Sequence, residues 1–551
     1  MRSPKLRLFP ILTMMLALAA GPAHAASELG TVDFPTSGSP AAQAHFLSGV
    51  AALHSFFYDE AADLFREAQK ADPGFALAYW GEAMTYNHPI WSEQDRDAAL
   101  AALARLAPTP AERLAKAPTE REKAWLAAVE TLYGEGEKGA RDAAYAAAMQ
   151  KLHEQFPDDV EAASFYTLSL IGPALTGPPG DARDRPLIRA AAILEELFDR
   201  APAHPGVLHY MIHAYDDPLH APLGLRAARL YAKTAPAAHH ARHMPAHIFV
   251  QIGDWPSAAA SNEEAWAASV DWVKRRGHPI DKQDFHSLSW LLYAYVQQGR
   301  LGKARETLET VRAAGKASDN PRVSSSVKEM EARYLVETRS WRKDLMPAEA
   351  SEVGGAHCHG GGEMKPGRGD GSLLYAAGLG AARSGDLATA ETVAAKLREI
   401  AKTGDGPYRG AAPAEILADQ ISGLVALKKG NAEEALKLLA AAAEAESRLP
   451  PPSGPPDPMK PSNELYGEAL LELGRAEEAG KQFDLSLLRT PNRTASLLGA
   501  ARVAVKRGDD EAARRLYGQL AEIWKQADAG YPELAEAKSY LDGKTERPAA
   551  R

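Results

Sequence analysis

The sequence predicts an all-α fold, a helical solenoid of antiparallel helix pairs. Three observations carry that expectation: small residues and proline return in a pattern about 34 residues long, a glycine recurs near the middle of each copy, and no stretch sustains the apolar-polar alternation of a half-buried strand. With 551 residues, 45% of them hydrophobic, the chain is long enough for one continuous repeat array.

A unit starting at Ala42 places Gly49 at position 8, Ala61 at 20, Phe65 at 24, Ala68 at 27 and Pro73 at 32. Small residues let two helices approach, and proline stops the second helix. The next unit starts at Ala76 without a gap, with Tyr79 and Ala83 at positions 4 and 8. Late in the chain Gly474, Ala479, Phe483 and Pro491 occupy positions 15, 20, 24 and 32 of a unit from Lys460, and Gly508, Ala513 and Tyr517 continue the frame. Weaker copies carry Gly253, Gly299, Gly385 and Gly430. This is the spacing of the tetratricopeptide repeat, in roughly ten copies.

The copies are interrupted at Pro173 to Arg185, at Met346 to Asp370 and at the proline-dense Pro450 to Pro461, which cannot be helical. The interruptions divide the array into subdomains over 26–200, 201–345 and 371–544, with a Gly-rich loop at 346–370 and a tail at 545–551 expected to be disordered.

Residues 1–25 read as a secretory signal: Arg2, Lys5 and Arg7 precede an apolar core from Ile11 to Ala20, and Ala23-His24-Ala25 is an A-x-A cleavage site. The apolar run is too short to span a membrane and none follows it, so a periplasmic or secreted chain is expected. A single cysteine, Cys358, leaves the fold to its apolar core rather than to disulfides. A net charge of -9 gives no basic stripe, which argues against nucleic acid as a partner.

Histidine is the anomaly. Eight of the 17 histidines lie between His204 and His247, where an even spread would place one or two. His209 and His213 are four residues apart, as are His243 and His247, so each pair projects from one face of a helix. Ala190, Leu194, Leu197 and Pro202 fix a frame that puts His209 and His213 at positions 5 and 9 of their unit. Gly253, Ala258 and Ala265 independently put His243 and His247 at positions 5 and 9 of the next. Equivalent positions of stacked first helices are neighbours about 8 to 10 Å apart, so four imidazoles are expected to face one concave groove.

His54 and His88 fall at position 13 of their units, and His286 at position 2 of a unit from Phe285. These join the candidate ligands for a transition metal (Zn, Cu, Fe or Ni). Asp216 and Glu263 are candidate acid or base groups; Asp217 and His220 follow on the His213 side, and Trp91 is placed to stack on a ligand in the groove. His357-Cys358-His359 in the Gly-rich loop is a second soft-ligand candidate, weighed equally against an incidental thiol in an insertion. Single histidines such as His45, His153 and His204 read as packing or capping residues. Glu464 and Glu468 repeat the position 5 and 9 geometry, and such pairs are more often a solvated face.

The stretch His209-Tyr210-Met211-Ile212-His213, followed by His240-x-x-His243-Met244-Pro245-x-His247-Ile248, resembles the H-Y-x-I-H and H-M-P-x-H-I signatures of a family of large exported bacterial tetratricopeptide-repeat proteins. Phe57-Tyr58-Asp59-Glu60-Ala61 and Tyr79-Trp80-Gly81-Glu82-Ala83-Met84 resemble that family's opening repeat. The resemblance implies the solenoid and the histidine site, and brings no reaction with it. Two functions are therefore expected in competition: a binding scaffold holding a protein, peptide or small ligand in a metal-lined groove, or a metal-dependent hydrolase or oxidoreductase using the same histidines.

Overall fold

A computed structural model describes residues 28–341, 368–403 and 411–544. The signal segment 1–25, the His357-Cys358-His359 stretch and the tail 545–551 lie outside these residues. Among the described residues, helices follow one another from Pro40–His54 to Pro532–Leu541, and the strands are two-residue pieces, Asn87–His88 paired with Glu93–Gln94. The all-α solenoid expected from the repeats is what the chain forms.

The repeat positions explain the packing. Phe65 is wedged between two glycines: a Cβ on Gly49 would lie 2.8 Å from its ring and one on Gly81 2.3 Å. Phe483 sits in the same way between Gly467 and Gly499, at 3.1 and 2.3 Å. In these two places a second-helix ring fills the space that glycine leaves on two successive first helices, at position 8 of its own unit and position 6 of the next. Helix Pro40–His54 packs on Tyr58–Ala71 and also on Ala76–Met84, and Ser462–Glu472 packs on Ala476–Arg489 and on Thr494–Arg507. Contact with both the partner helix and the next first helix defines a stacked array.

First and second helices bury differently. Tyr58–Ala71 buries a stripe of Ala61, Phe65 and Ala68 and leaves the rest half-exposed, whereas every residue of Ala76–Met84 and of Pro205–Ala214 is buried. A helix apolar all round is an interior helix. These two first helices are enclosed on all sides rather than lining an open groove.

Turns between paired helices use glycine in the left-handed region: Gly253 (φ 68°) and Gly508 (φ 71°) cap their helices through backbone bonds to the preceding turn. Phe56 occupies this turn position in the first unit, with φ 52°. A side chain there costs about 1–2 kcal/mol, and its ring is held against the histidines described below.

Two stretches marked as interruptions behave differently. Helix Val160–Thr176 runs through Pro173, and Asp181–Arg200 begins after four intervening residues, so most of 173–185 is helical. Residues 450–461 are irregular, as the prolines require. They cover the core: a Cβ on Gly454 would lie 2.2 Å from the Trp290 ring, and Arg333 donates to the Pro456 carbonyl at 3.2 Å. The apolar core forms three clusters, over Leu29 to Val273, Ala246 to Tyr334 and Ala332 to Ala537. The first runs through residue 200, where the composition suggests a boundary.

Glu464 and Glu468 do not form a solvated face. Glu464 is fully buried and bonds Lys460 (2.7 Å), Arg493 (2.8 Å) and Ser496 (2.6 Å); Glu468 takes Lys460, Arg339 and Arg383 at 2.6 Å each. Arg493 also reaches Glu337 at 2.9 Å and Tyr293 at 3.2 Å, tying late units to the central ones.

Candidate metal centre

Three successive first helices build the site. Pro205–Ala214 opens on proline and is capped by His204, whose Nδ1 accepts the Val207 N–H at 3.2 Å, fixing His209 and His213 one turn apart. The next first helix is expected to be continuous but is broken at Met244, because Pro245 supplies no N–H to the preceding turn. His243 and His247 lie on either side of this break and still share a face. Phe285–Gln297, capped by the Asp284 carboxylate on Ser287 N–H, brings in His286 at its second residue.

The four histidines expected to converge divide between two neighbouring sets, each completed by a third imidazole. His209 Nε2 lies 3.1 Å from His213 Nε2 and 3.2 Å from His240 Nε2. His243 Nε2 lies 3.1 Å from His247 Nε2, with the His286 ring centroid 4.7 Å from that of His243. Within each set one ligand nitrogen per residue falls within 4.8 Å of the others, and both sets are imidazoles alone. The sets abut, His213 and His247 ring centroids being 5.8 Å apart and those of His240 and His243 5.9 Å.

Proton placement follows from the outer nitrogens. His247 Nδ1 faces Asp216 Oδ2 at 2.6 Å, and His243 Nδ1 faces Asn262 Oδ1 at 2.7 Å. Both must donate, since each partner is an acceptor; the Asn262 amide is oriented by its own donation to the Ala258 carbonyl at 2.7 Å. On a neutral ring Nδ1–H leaves a lone pair on Nε2, and these two Nε2 atoms confront one another at 3.1 Å. His209 repeats the pattern, its Nδ1 donating to the His54 carbonyl at 2.6 Å and its Nε2 facing inward. Convergent lone pairs of this kind could donate to a metal ion, and outer acceptors are the usual means of aiming histidine ligands.

Burial favours the neutral form of His209, His213, His240 and His243. His209 and His243 are fully enclosed, and His213 and His247 nearly so. Burial, reinforced by the neighbouring histidines, pushes His213 and His240 well below the ordinary imidazole range, and burial takes His209 to about 3. Aromatic rings form the walls: Phe56 lies 4.3 Å from His209, Trp91 6.1 Å from His240 and Trp290 4.4 Å from His247. His240 is half-buried and His286 exposed, so the open side of both sets is the side of the third ligand.

The other sequence candidates take separate places. His54 is fully buried but bonds Glu161 Oε2 at 2.6 Å and Tyr210 at 2.9 Å, while His204 bonds Glu161 Oε1 at 2.9 Å. These three side chains could surround an ion, yet every nitrogen and both carboxylate oxygens already have complementary partners. The His54 carbonyl beside them accepts from His209 Nδ1. His88 stacks on Tyr58 at 4.0 Å and bonds the Thr85 carbonyl, outside both sets. Asp216 spends one oxygen on His247 and receives Gln251 Nε2 at 3.1 Å on the other, which makes it an orienting group. Glu263 bonds the Tyr295 hydroxyl at 2.5 Å. Asp217 and His220 pair with each other at 2.7 Å.

Sequence reasoning left out His240, Glu161 and Asn262. His240 was visible as part of the H-x-x-H run; Glu161 and Asn262 carry no local signal.

No family model matches this chain, and no curated protein is similar to it in sequence. Among solved structures it is similar to a tetratricopeptide repeat protein from Parabacteroides merdae, at 14% identity over 56% of this chain and 99% of that one, TM-score 0.30. It is also similar to yeast Tom70 (11% identity, 91% and 95% covered, TM-score 0.27) and to a human IFIT1 dimer with m7Gppp-AAAA (12%, 95% and 93%, 0.33). Likeness at these scores carries no function, and the repeat architecture stands on the packing described above.

Proposed function

We propose that this protein is an exported, periplasmic tetratricopeptide-repeat binding scaffold that holds a transition metal on the histidines of its central first helices. The observation that carries the reading is the meeting of two Nε2 lone pairs at 3.1 Å on His243 and His247, with both Nδ1 protons committed to Asp216 and Asn262. Neutral imidazoles suit Zn, Cu or Fe. The metal organises a face to which a protein, peptide or small ligand binds. Among the described residues no helix is long and apolar enough to cross a membrane. The leader-like residues 1–25 support export, which N-terminal sequencing of the mature protein tests: it should begin at Ala26.

A second reading has one observation in its favour. His286 is exposed, so its set faces solvent, and a metal-dependent hydrolase or oxidoreductase requires such access.

Elemental analysis of protein purified from periplasm, wild type beside His243→Ala, tests the metal. Bound metal in the wild type that disappears from the variant supports it, and a metal-free wild type that takes up none on reconstitution overturns it. A vacant coordination position that exchanges water, seen spectroscopically on the loaded protein, moves the assignment to an enzyme.

A further inference from the structure

The two histidine sets are built alike. Each holds an i, i+4 pair from one first helix, with facing Nε2 atoms 3.1 Å apart, and one further imidazole on the accessible side, His240 for the first and His286 for the second. One ion cannot use all six rings, because each set gathers its own ligand atoms within 4.8 Å while contact between the sets is made ring against ring.

We propose that the site is dinuclear, holding two copper(I) ions side by side, one on His209, His213 and His240 and the other on His243, His247 and His286. This rests on the metal-binding reading above and deepens it by fixing the number and kind of ion. Charge selects the ion. Six neutral ligands bring no negative charge, and four of them are almost wholly enclosed. Each unbalanced charge in such surroundings costs several kcal/mol.

A pair of divalent ions would introduce four positive charges; a pair of monovalent ions introduces two. Two carboxylates, one buried and one half-buried, stand at the perimeter to balance those two. Asp216 lies on His247 Nδ1, and Asp284 caps the helix that carries His286. Copper(I) is also content with three imidazoles, without the fourth ligand, often water, that zinc takes. Walls of Phe56, Trp91 and Trp290 keep the pocket apolar, as a low-charge ion requires.

The test uses the full mature chain stripped of metal. It is incubated without oxygen with copper(I) bicinchoninate, desalted, and its copper counted per chain. About two copper ions are expected on the wild type, and about one on His240→Ala and on His286→Ala, whose substituted side chains lie toward solvent. X-ray absorption should show nitrogen ligands only. Oxidation to copper(II) should give an EPR signal that is silent or broadened by the neighbouring ion.

One copper per wild-type chain, or two copper(II) ions giving unbroadened spectra of full intensity, overturns the pair and leaves the metal-binding reading standing. Zinc displacing both coppers in direct competition overturns the choice of ion. A chain that retains neither copper nor zinc overturns this inference and the reading beneath it together. The EPR readout uses wild-type protein, so it decides the question even if a variant fails to fold.

Discussion

Asp216 and Glu161 are both buried carboxylates in contact with histidine, and they are expected to answer mutation differently. Asp216 holds His247 Nδ1–H so that Nε2 points to the ion. Asp216→Asn keeps an acceptor but removes the charge, and orienting groups of this kind are worth about 10- to 100-fold in metal affinity. Competition with a chelator should register that loss, and because the Asn amide N–H would face either His247 or Gln251 the melting temperature should fall as well. Glu161 accepts from His54 and His204 in a closed network that needs no cation. Glu161→Gln places an amide N–H against one histidine donor and should cost about 1–3 kcal/mol of stability, with metal content unchanged. A Glu161→Gln protein that folds normally but loses its metal would place the ion in the wrong set. The histidine pairs were legible because helical spacing and repeat frame both report on them. His240 was harder to assign, since it sits ahead of the Pro245 break and pairs across to the neighbouring unit. Glu161, one of 72 acidic residues on the chain, is marked only by where its helix packs.

At the level of elements, the irregular segment 450–461 has a larger part than its composition suggests. Prolines tell the reader that it is not helical, but not where it docks. It docks on Trp290, whose ring lies against His243, His247 and His286. Gln251 bridges the same way, donating to Asp216 at 3.1 Å and to the Pro452 carbonyl at 2.7 Å. A side chain on Gly454 would strike the Trp290 ring, which is itself almost fully enclosed. Gly454→Val is therefore expected to displace the ring and loosen the second histidine set, with faster metal release to a chelator and a loss of about 1–3 kcal/mol from overpacking. Unchanged release would mean that the segment merely covers the core. The stacked helices themselves were readable from small residues and proline, since each repeat specifies only its immediate neighbours. Docking of an irregular segment from far along the chain has no such rule.

Across the whole molecule, the late units return to the histidine-bearing helices through buried polar contacts that repeat spacing cannot foresee. Asn492 Nδ2 donates to the Ile252 carbonyl at 3.0 Å, Gln297 Oε1 accepts from Thr494 N–H at 3.0 Å, and Arg493 bonds both Glu464 and Glu337. Removing one partner of such a buried ion pair costs about 3–5 kcal/mol, because the other charge is left uncompensated. Arg493→Ala should lower the stability of the whole chain accordingly. Acid should act on the metal-free protein in two stages. The enclosed imidazole of His209 is pushed by burial to about 3. An unfolded chain takes up that proton near pH 6.5, so protonation favours unfolding, and stability falls as pH drops from about 6.5 toward 3. Glu468 behaves as a depressed carboxylate: burial opposes its charge, but Lys460, Arg339 and Arg383 hold it at about 2. Its contribution is complete above the unfolded value, about 4.5, and is lost as pH falls through about 2. Urea midpoints taken from pH 8 downward should thus decline in both windows. Bound metal should protect the upper one, since an ion competes with the proton for the same imidazole lone pairs. A midpoint that stays level between about pH 7 and 5 in the metal-free chain would show that these rings are not held neutral by burial.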